Sequence, residues 1–229
     1  VNFLFGLLIL PESLAPEKRQ RFSWNKLNPF HSLLKVIKRP LMPQLLLVVF
    51  FLQLAGQTHP SIWTLYTETR FGWTAAQVGI SLAVVGLLSA FAQGYLTGVI
   101  VPRLGEVRTA NWGILGEAIT FSLFGFASTG WAMYLILIVS SVFWAAPPAL
   151  QSLITKQVPD NEQGELQGSI VSLTSLASIV TPLVVTQLFS HYGTLGKSQP
   201  YLPGAPYYFA GLVCFIGWFV FLKSKSKFE

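Results

Sequence analysis

The chain has few charged residues for its length. Only 10% of its 229 residues are charged, and 52% are hydrophobic, whereas a typical soluble domain carries about 25% charged residues. So little charge cannot cover the surface of an ordinary soluble domain. The composition therefore predicts an integral membrane protein.

Groups that could crosslink the chain or hold a metal are also scarce. The single cysteine, Cys214, lies in the last apolar stretch, which excludes a disulfide framework or a thiolate metal site within the chain and leaves the redox compartment open. The three histidines, His31, His59 and His191, lie in separate regions without a cluster of carboxylates. We expect no metal site and no cofactor. His59 precedes Pro60 and is interpreted as a helix-end residue, with the lining of an outer vestibule as the alternative.

Two function classes lack support in the residues. An enzyme site needs a nucleophile and base, or a metal cluster, in one region, and none is present, so we predict no catalytic residue and no enzyme. The net charge of +6 is explained by attraction to the anionic inner leaflet of a membrane. No basic and aromatic patch suggests a nucleic-acid partner.

Six apolar stretches are long enough to cross a bilayer, which takes roughly 20 predominantly apolar residues. We place them near 43–66, 75–100, 109–128, 131–150, 166–190 and 206–222. Barrel strands would alternate apolar and polar residues, and runs such as 45–52 do not. The predicted fold class is an all-α integral membrane protein with a six-helix bundle.

Positive charge is distributed asymmetrically between the predicted loops. If the segment after Leu10 is cytoplasmic, all but Arg70 and Lys197 of the 15 Lys and Arg residues fall on the cytoplasmic side. This asymmetry is typical of inner-membrane proteins and fixes both the orientation and an even number of spans. We therefore predict a multi-pass protein of the inner (plasma) membrane.

The chain divides into four predicted parts. Residues 1–11 begin with Val1, are too short to span, and are expected to be the end of a truncated sixth helix of a longer protein. Residues 12–40 form a basic cytoplasmic connector whose segment 28–38 is predicted to form a short amphipathic helix, with a disordered linker as the alternative. Residues 41–222 form the bundle, and residues 223–229 form a basic cytoplasmic tail.

Polar side chains recur inside the first three spans. Gln53 and Gln57 are four residues apart in the first span, as are Ser89 and Gln93 in the second, so each pair shares a helix face. With Glu117 on the third span they predict a shared hydrophilic cavity. For the glutamines, hydrogen bonding between helices is an equally good explanation.

Glu117 is the only charged residue within the six stretches. An ionised carboxylate is costly in hydrocarbon, so a carboxyl at that depth normally faces a protein interior or a water-filled path. A neutral acid that only packs against a neighbouring helix is the alternative. We favour a functional role in which Glu117 takes up and releases a proton during a transport cycle.

Small residues and prolines give further signals. Ala90, Gly94 and Gly98 recur every four residues, as do Gly164 and Gly168, a spacing that lets helices pack closely. Pro147, Pro148 and Pro182 lack a backbone donor and predict bending points within their helices.

The loop motifs resemble those of a known transporter family. Residues 98–108 read GVIVPRLGEVR, in which Gly98, Arg103, Gly105 and Arg108 match the cytoplasmic loop motif of the major facilitator superfamily. Pro102 stands where that superfamily commonly has an acidic residue. Further segments resemble the C-terminal half of the tetracycline efflux transporters, namely FLQLAGQ at 51–57, TETRF at 67–71, PALQ at 148–151, QV at 157–158, QGELQG at 163–168, SLTS at 172–175 and LPGAP at 202–206.

This resemblance implies a drug/proton antiporter that exports a metal-tetracycline chelate as protons enter. It implies two inverted three-helix repeats and a partner, the N-terminal six-helix half, with substrate bound between the halves. Glu117 takes the place of the coupling acid on the ninth helix. Ser89 stands where those members have a histidine, and Gln93 is retained. The resulting prediction is proton-coupled efflux of a small hydrophobic or amphipathic compound.

Gln53, Gln57, Ser89 and Gln93 are the predicted substrate contacts. A divalent metal would travel with the substrate. The alternative is a half-transporter fragment or membrane scaffold that does not transport and needs a partner half.

Overall fold

The computed structural model describes residues 36–193 and 200–225, and all regular structure in these ranges is helical. The predicted truncated helix at 1–11, and most of the connector with its amphipathic helix, lie outside the described residues. The helices are α1 (Met42–Gly56), α2 (Thr58–Phe71), α3 (Ala75–Phe91), α4 (Thr97–Leu104), α5 (Glu106–Phe126), α6 (Gly130–Ser141), α7 (Ala146–Thr155), α8 (Gln163–Tyr192) and α9 (Ala205–Lys225).

Each of the six predicted apolar stretches corresponds to a helical segment. The segments Met42–Phe71, Ala75–Leu104, Gly130–Thr155, Asp160–Tyr192 and Ala205–Lys225 are long and apolar enough to cross a membrane. The remaining segment, α5, has 21 residues, and at 1.5 Å per residue it is as long as a span. It is less apolar because it carries Asn111, Glu117 and several small or hydroxylated residues.

Three of these segments change geometry part-way. Gln57 joins α1 to α2, because Pro60 lacks a backbone N–H and its ring crowds the carbonyl of Gly56 four residues earlier. A π-helical turn, Ala92–Leu96, joins α3 to α4. A 3₁₀ turn, Val142–Ala145, joins α6 to α7, where Pro147 occupies the first turn and needs no helical donor.

The central helix is α5, which packs against α4, α6, α7 and α9. Its glycines permit this closeness. A Cβ atom on Gly113 would lie 2.5 Å from the Ala146 Cβ, and one on Gly116 would lie 2.2 Å from the Phe143 ring. Where α5 meets α9, a Cβ on Gly211 of α9 would lie 2.3 Å from the Ser122 Oγ of α5. Glycine is therefore required where α5 meets its neighbours.

Side-chain hydrogen bonds connect the helices inside the bundle. The Trp218 Nε1 donates to the Asn111 Oδ1 at 3.1 Å, joining α9 to α5. The Tyr66 hydroxyl donates to the Phe124 carbonyl at 3.0 Å, joining α2 to α5. The Thr181 Oγ1 donates to the Leu54 carbonyl at 3.0 Å, joining α8 to α1. Each bond satisfies a polar group that would otherwise be costly in an apolar interior.

Two ion pairs hold loops together at the end of the bundle that was predicted to be cytoplasmic. The Arg39 guanidinium donates to the Glu162 carboxylate at 2.5 Å, linking the residues before α1 to the loop before α8. Lys156, at the end of α7, contacts the Glu106 carboxylate at 2.6 Å, and the Ser152 hydroxyl donates to the same oxygen at 2.5 Å. Glu106 is the first residue of α5 and lies before the apolar stretch at 109–128, and these two donors hold its pKa below the usual range.

The Lys156–Glu106 pair should make a small contribution to stability because the lysine is largely exposed. A double-mutant cycle with Lys156→Gln and Glu106→Gln is expected to give a coupling energy of about 0.2 to 1 kcal/mol. Because the pKa of Glu106 is lowered by folding, the contribution is complete above the unfolded pKa and is lost as pH falls through the folded value. Thermal unfolding at two pH values measures this, and a coupling that does not weaken in acid contradicts it.

The small-residue patterns on two helices do not pack against any described residue. A Cβ atom on Gly94, Gly98, Gly164 or Gly168 would meet nothing within 4 Å. The segments that carry them, Ala75–Leu104 and Asp160–Tyr192, are also the least buried of the apolar spans, at 17% and 28%. The predicted close packing is therefore absent within this part of the chain, and these faces are open.

Candidate functional site

A cavity of about 290 Å³ lies within the bundle, lined by residues of α1, α2, α5, α7 and α8 and of the 3₁₀ turn before α7. Four polar side chains line it: Gln53, His59, Glu117 and Gln151. Its apolar wall includes Phe121, Trp144 and Pro147. A site with few polar groups on an apolar and aromatic wall suits a small amphipathic ligand.

Glu117 projects from the middle of α5 into this cavity, with 9% of its surface exposed. It is buried there because α5 packs against α6, α7 and α9. No donor or cation contacts its carboxyl group among residues 36–193 and 200–225. The carboxyl thus faces a protein cavity, the kind of environment expected of a functional acid inside a membrane protein.

The carboxamides of Gln53 and Gln151 face the same cavity from α1 and α7. Gln53 was predicted as a substrate contact, and the structure brings it together with Glu117. Gln151 was not predicted as a site residue. The spacing in the sequence could have indicated it, because Gln151 follows Pro147 by four positions and so lies on the same helix face.

His59 also lines the cavity, although its sequence favoured a plain helix-end role. Its ring centroid lies 5.1 Å from that of Phe121, 4.9 Å from Phe124, 5.4 Å from Trp63 and 5.5 Å from Tyr207. His59 is the second residue of α2, directly after the joint at Gln57. Its inward position depends on how the helices pack, which periodicity alone does not reveal.

Three of the predicted substrate contacts do not line this cavity. Gln57 lies at the joint between α1 and α2. Ser89 lies on α3, and Gln93 is exposed in the π-helical turn. The cavity therefore receives polar groups from the first and third predicted spans but not from the second.

The loop motif at 98–108 forms the turn between α4 and α5. Gly105 has a φ of 78°, a left-handed conformation that favours glycine, and its N–H donates to the Val101 carbonyl at 2.9 Å. Gly98, Arg103 and Arg108 are exposed. The acidic residue of this motif, Glu106, accepts hydrogen bonds from Lys156 and Ser152.

The sequence matches a family model described as the Major Facilitator Superfamily, over residues 1–182 and, in a second alignment, 45–228. The chain belongs to this superfamily. Membership agrees with the apolar helices of the structure and confirms a multi-pass protein of the inner (plasma) membrane.

Curated relatives narrow the similarity to one branch of the superfamily. The chain is 36% identical to the class C tetracycline resistance protein of Escherichia coli, over 93% of this chain and 53% of the relative. It is 39% identical to the class G protein of Vibrio anguillarum and 35% identical to the class B protein of Escherichia coli, each over 73% of this chain and 42% of the relative. The chain thus spans about half the length of the curated relatives it matches.

A solved structure confirms the fold. The human organic anion transporter MFSD10 (TETRAN) superposes with a TM-score of 0.78 at 21% identity, covering 96% of this chain and 54% of that chain. The predicted fold class, a six-helix bundle of a major facilitator transporter, is therefore confirmed.

Proposed function

We propose that this chain is the C-terminal half of a proton-coupled transporter that exports a small amphipathic drug, with a tetracycline-like compound as the leading candidate. The observation that carries the proposal is the placement of Glu117 in a cavity that Gln53 and Gln151 also line, with no cation beside it in the described structure. Membership of a transporter superfamily supports transport over catalysis. The names of the tetracycline resistance relatives support the drug class.

The proposed coupling depends on the two forms of the Glu117 carboxyl. The ionised form attracts a cationic group, such as a divalent metal carried by the substrate, and its charge is costly unless it is paired. Proton uptake removes the charge and with it the attraction. Substrate and proton then compete for one group, which is the requirement for antiport. The coupling ion is the proton, and no cofactor of the protein's own is needed.

The cavity supplies contacts for the substrate. Gln53 and Gln151 offer both donors and acceptors, and Phe121 and Trp144 offer flat apolar surface. Gln57, Ser89 and Gln93 remain proposed as contacts, and the exposure of Gln93 lets it meet substrate from outside this bundle. The substrate in this proposal lies partly in the cavity and partly beyond it.

The proposed partner is the N-terminal six-helix half of the same transporter. The open glycines Gly94 and Gly98, in the π-helical turn and α4, and Gly164 and Gly168 on α8 support this partner, because small residues on membrane helices permit close packing with another helix. The chain matches only about half of each relative, which leaves a length suitable for six more spans. The alternative function, a membrane scaffold that does not transport, would not explain why the carboxyl group of Glu117 lies in a cavity.

The proposal is tested with the full-length protein that carries this chain, reconstituted in liposomes. A pH gradient that is acidic on the outer-face side should drive tetracycline and Mg²⁺ toward that side. Addition of the drug without a gradient should move protons in the opposite sense, read by a trapped pH dye. Drug movement that does not depend on the pH gradient and is not accompanied by proton movement would contradict antiport.

Replacing Gln53 by Ala should weaken substrate binding. Loss of one hydrogen bond worth about 0.5 to 1.5 kcal/mol corresponds to a dissociation constant raised about 2- to 13-fold. Equilibrium binding to detergent-solubilised protein measures this. Gln187→Ala, on an exposed face of α8, is the matched control and should bind normally. Equal affinities for both variants and the wild type would remove Gln53 from the site.

A further inference from the structure

Two neighbouring rings beside the cavity carry buried polar atoms without a hydrogen-bond partner. The His59 Nδ1 and the Tyr207 hydroxyl have no partner among the described residues, and their ring centroids are 5.5 Å apart. Tyr207 is fully buried. Buried polar atoms are usually paired with protein or water, so such a group needs an explanation.

His59 links the unpartnered atoms to the cavity that Glu117 lines. The His59 ring contacts Phe121 at 5.1 Å between centroids, and Phe121 is one helical turn along α5 from Glu117. Both His59 and Glu117 line the same cavity. His59 is therefore a second group with an exchangeable proton on the wall of this cavity.

The other side of His59 leads toward the outer face. Tyr207 is the third residue of α9, which begins directly after the loop predicted to lie outside. Its ring is 4.9 Å from that of Tyr66, one turn before Arg70 at the outer end of α2. The sequence Glu117, His59, Tyr207 thus runs from the middle of the bundle toward its outer end.

We propose that His59 is a proton relay that carries protons from the outer face to Glu117, through water held by His59 and Tyr207. The inference rests on the proposed function, because it assigns the proton route of the same site. A water bound at these orphan atoms would satisfy them, as buried water commonly does with about three hydrogen bonds. Packing alone would be served by an apolar ring.

The relay needs no further reactant. The neutral imidazole accepts a proton from outer water at one ring nitrogen and becomes an imidazolium. It then gives a proton to the Glu117 carboxylate, which becomes the neutral acid, and the imidazole is neutral again. The titratable groups that face this route among the described residues are Glu117 on α5, Tyr207 and Cys214 on α9 and Tyr66 on α2. The buried Cys214 thiol is close enough to interact electrostatically with Glu117, and α1 contributes the uncharged Gln53.

The test separates proton movement from drug movement in liposomes containing the full-length transporter. His59→Gln keeps a polar side chain but cannot carry a proton. We expect proton-driven drug transport to fall about 100-fold, the lower end of what a positioned acid-base group supplies. Drug-for-drug exchange at equal pH, which needs no net proton transfer, should fall far less than the driven rate, because glutamine keeps a polar side chain on the cavity wall. Tyr207→Phe, which deletes only the hydroxyl, should also slow the driven rate and spare exchange.

His191→Gln is the matched control, since His191 is exposed at the end of α8, and it should transport normally. A His59→Gln variant with unchanged driven transport overturns the relay, as does an equal fall in both rates, which would indicate a structural or binding role. If His59→Gln does not fold, a wild-type driven rate in Tyr207→Phe overturns the proposed route. Normal coupling in Glu117→Gln would instead overturn the proposed function itself, so the two failures are distinguishable.

Discussion

Replacing Glu117 by Gln is expected to abolish proton-driven transport while the protein still folds. The amide has nearly the same shape as the neutral acid, so the packing around α5 is retained, but it can neither ionise nor bind a proton. Drug accumulation driven by a pH gradient should fall to the level of protein-free liposomes. Drug-for-drug exchange measures whether any binding and movement of the carrier remain.

The matched control for this substitution is Glu68→Gln, since Glu68 is an exposed residue near the outer end of α2. It carries the same chemical change at a position that faces neither the cavity nor the centre of the bundle. Its driven transport should equal that of the wild type. Coupled transport that survives in the Glu117 variant would leave the buried carboxyl with a packing role only.

Adding a single methyl group at Gly113 should destabilise the bundle. The new Cβ of Gly113→Ala would lie 2.5 Å from the Ala146 Cβ and 3.1 Å from the Phe143 carbonyl oxygen. Two of the three closest atoms belong to backbone, so relief requires α5 and α7 to separate. Overpacking of this kind costs about 1 to 3 kcal/mol, and the thermal unfolding midpoint in detergent should fall.

The same substitution at Gly79 is expected to change the stability in the opposite direction. Gly79 lies inside α3 and a Cβ there meets nothing within 4 Å, so alanine should stabilise the helix by about 0.5 to 1 kcal/mol. A rise for Gly79→Ala and a fall for Gly113→Ala would confirm that close approach, and not glycine itself, matters at α5. Equal shifts in the two variants would refute that explanation.

Much of the fold follows from the sequence because a membrane imposes a simple requirement. Every backbone polar group in hydrocarbon must be satisfied internally, so a long apolar stretch becomes a helix. The six helical stretches could therefore be predicted from the sequence. The interruptions within them were harder to predict. Pro60 interrupts the first span at Gln57, and the glutamine predicted to share a face with Gln53 instead forms the joint.

The site was only partly predictable for a related reason. Glu117 stands out because charge is rare in an apolar stretch, and Gln53 because its neighbours are apolar. His59 and Gln151 lie near helix breaks and prolines, where their direction is set by how the helices pack. Ser89 and Gln93 have the right spacing but lie on a helix whose face is open in this structure. Spacing identifies a helix face, and only the packing shows what that face meets.

The most direct test of the central claim measures protons released when substrate binds at equilibrium. Calorimetric titration of tetracycline and Mg²⁺ into the full-length protein, repeated in buffers of different ionisation enthalpy, gives this release, with matching titrations of drug and metal alone subtracted. The account predicts that substrate binding to the wild type releases a proton near the pH at which Glu117 is half protonated, and that Glu117→Gln binds without releasing it. Release that is absent from the wild type, or that persists in the variant, would contradict competition of substrate and proton for this carboxyl group.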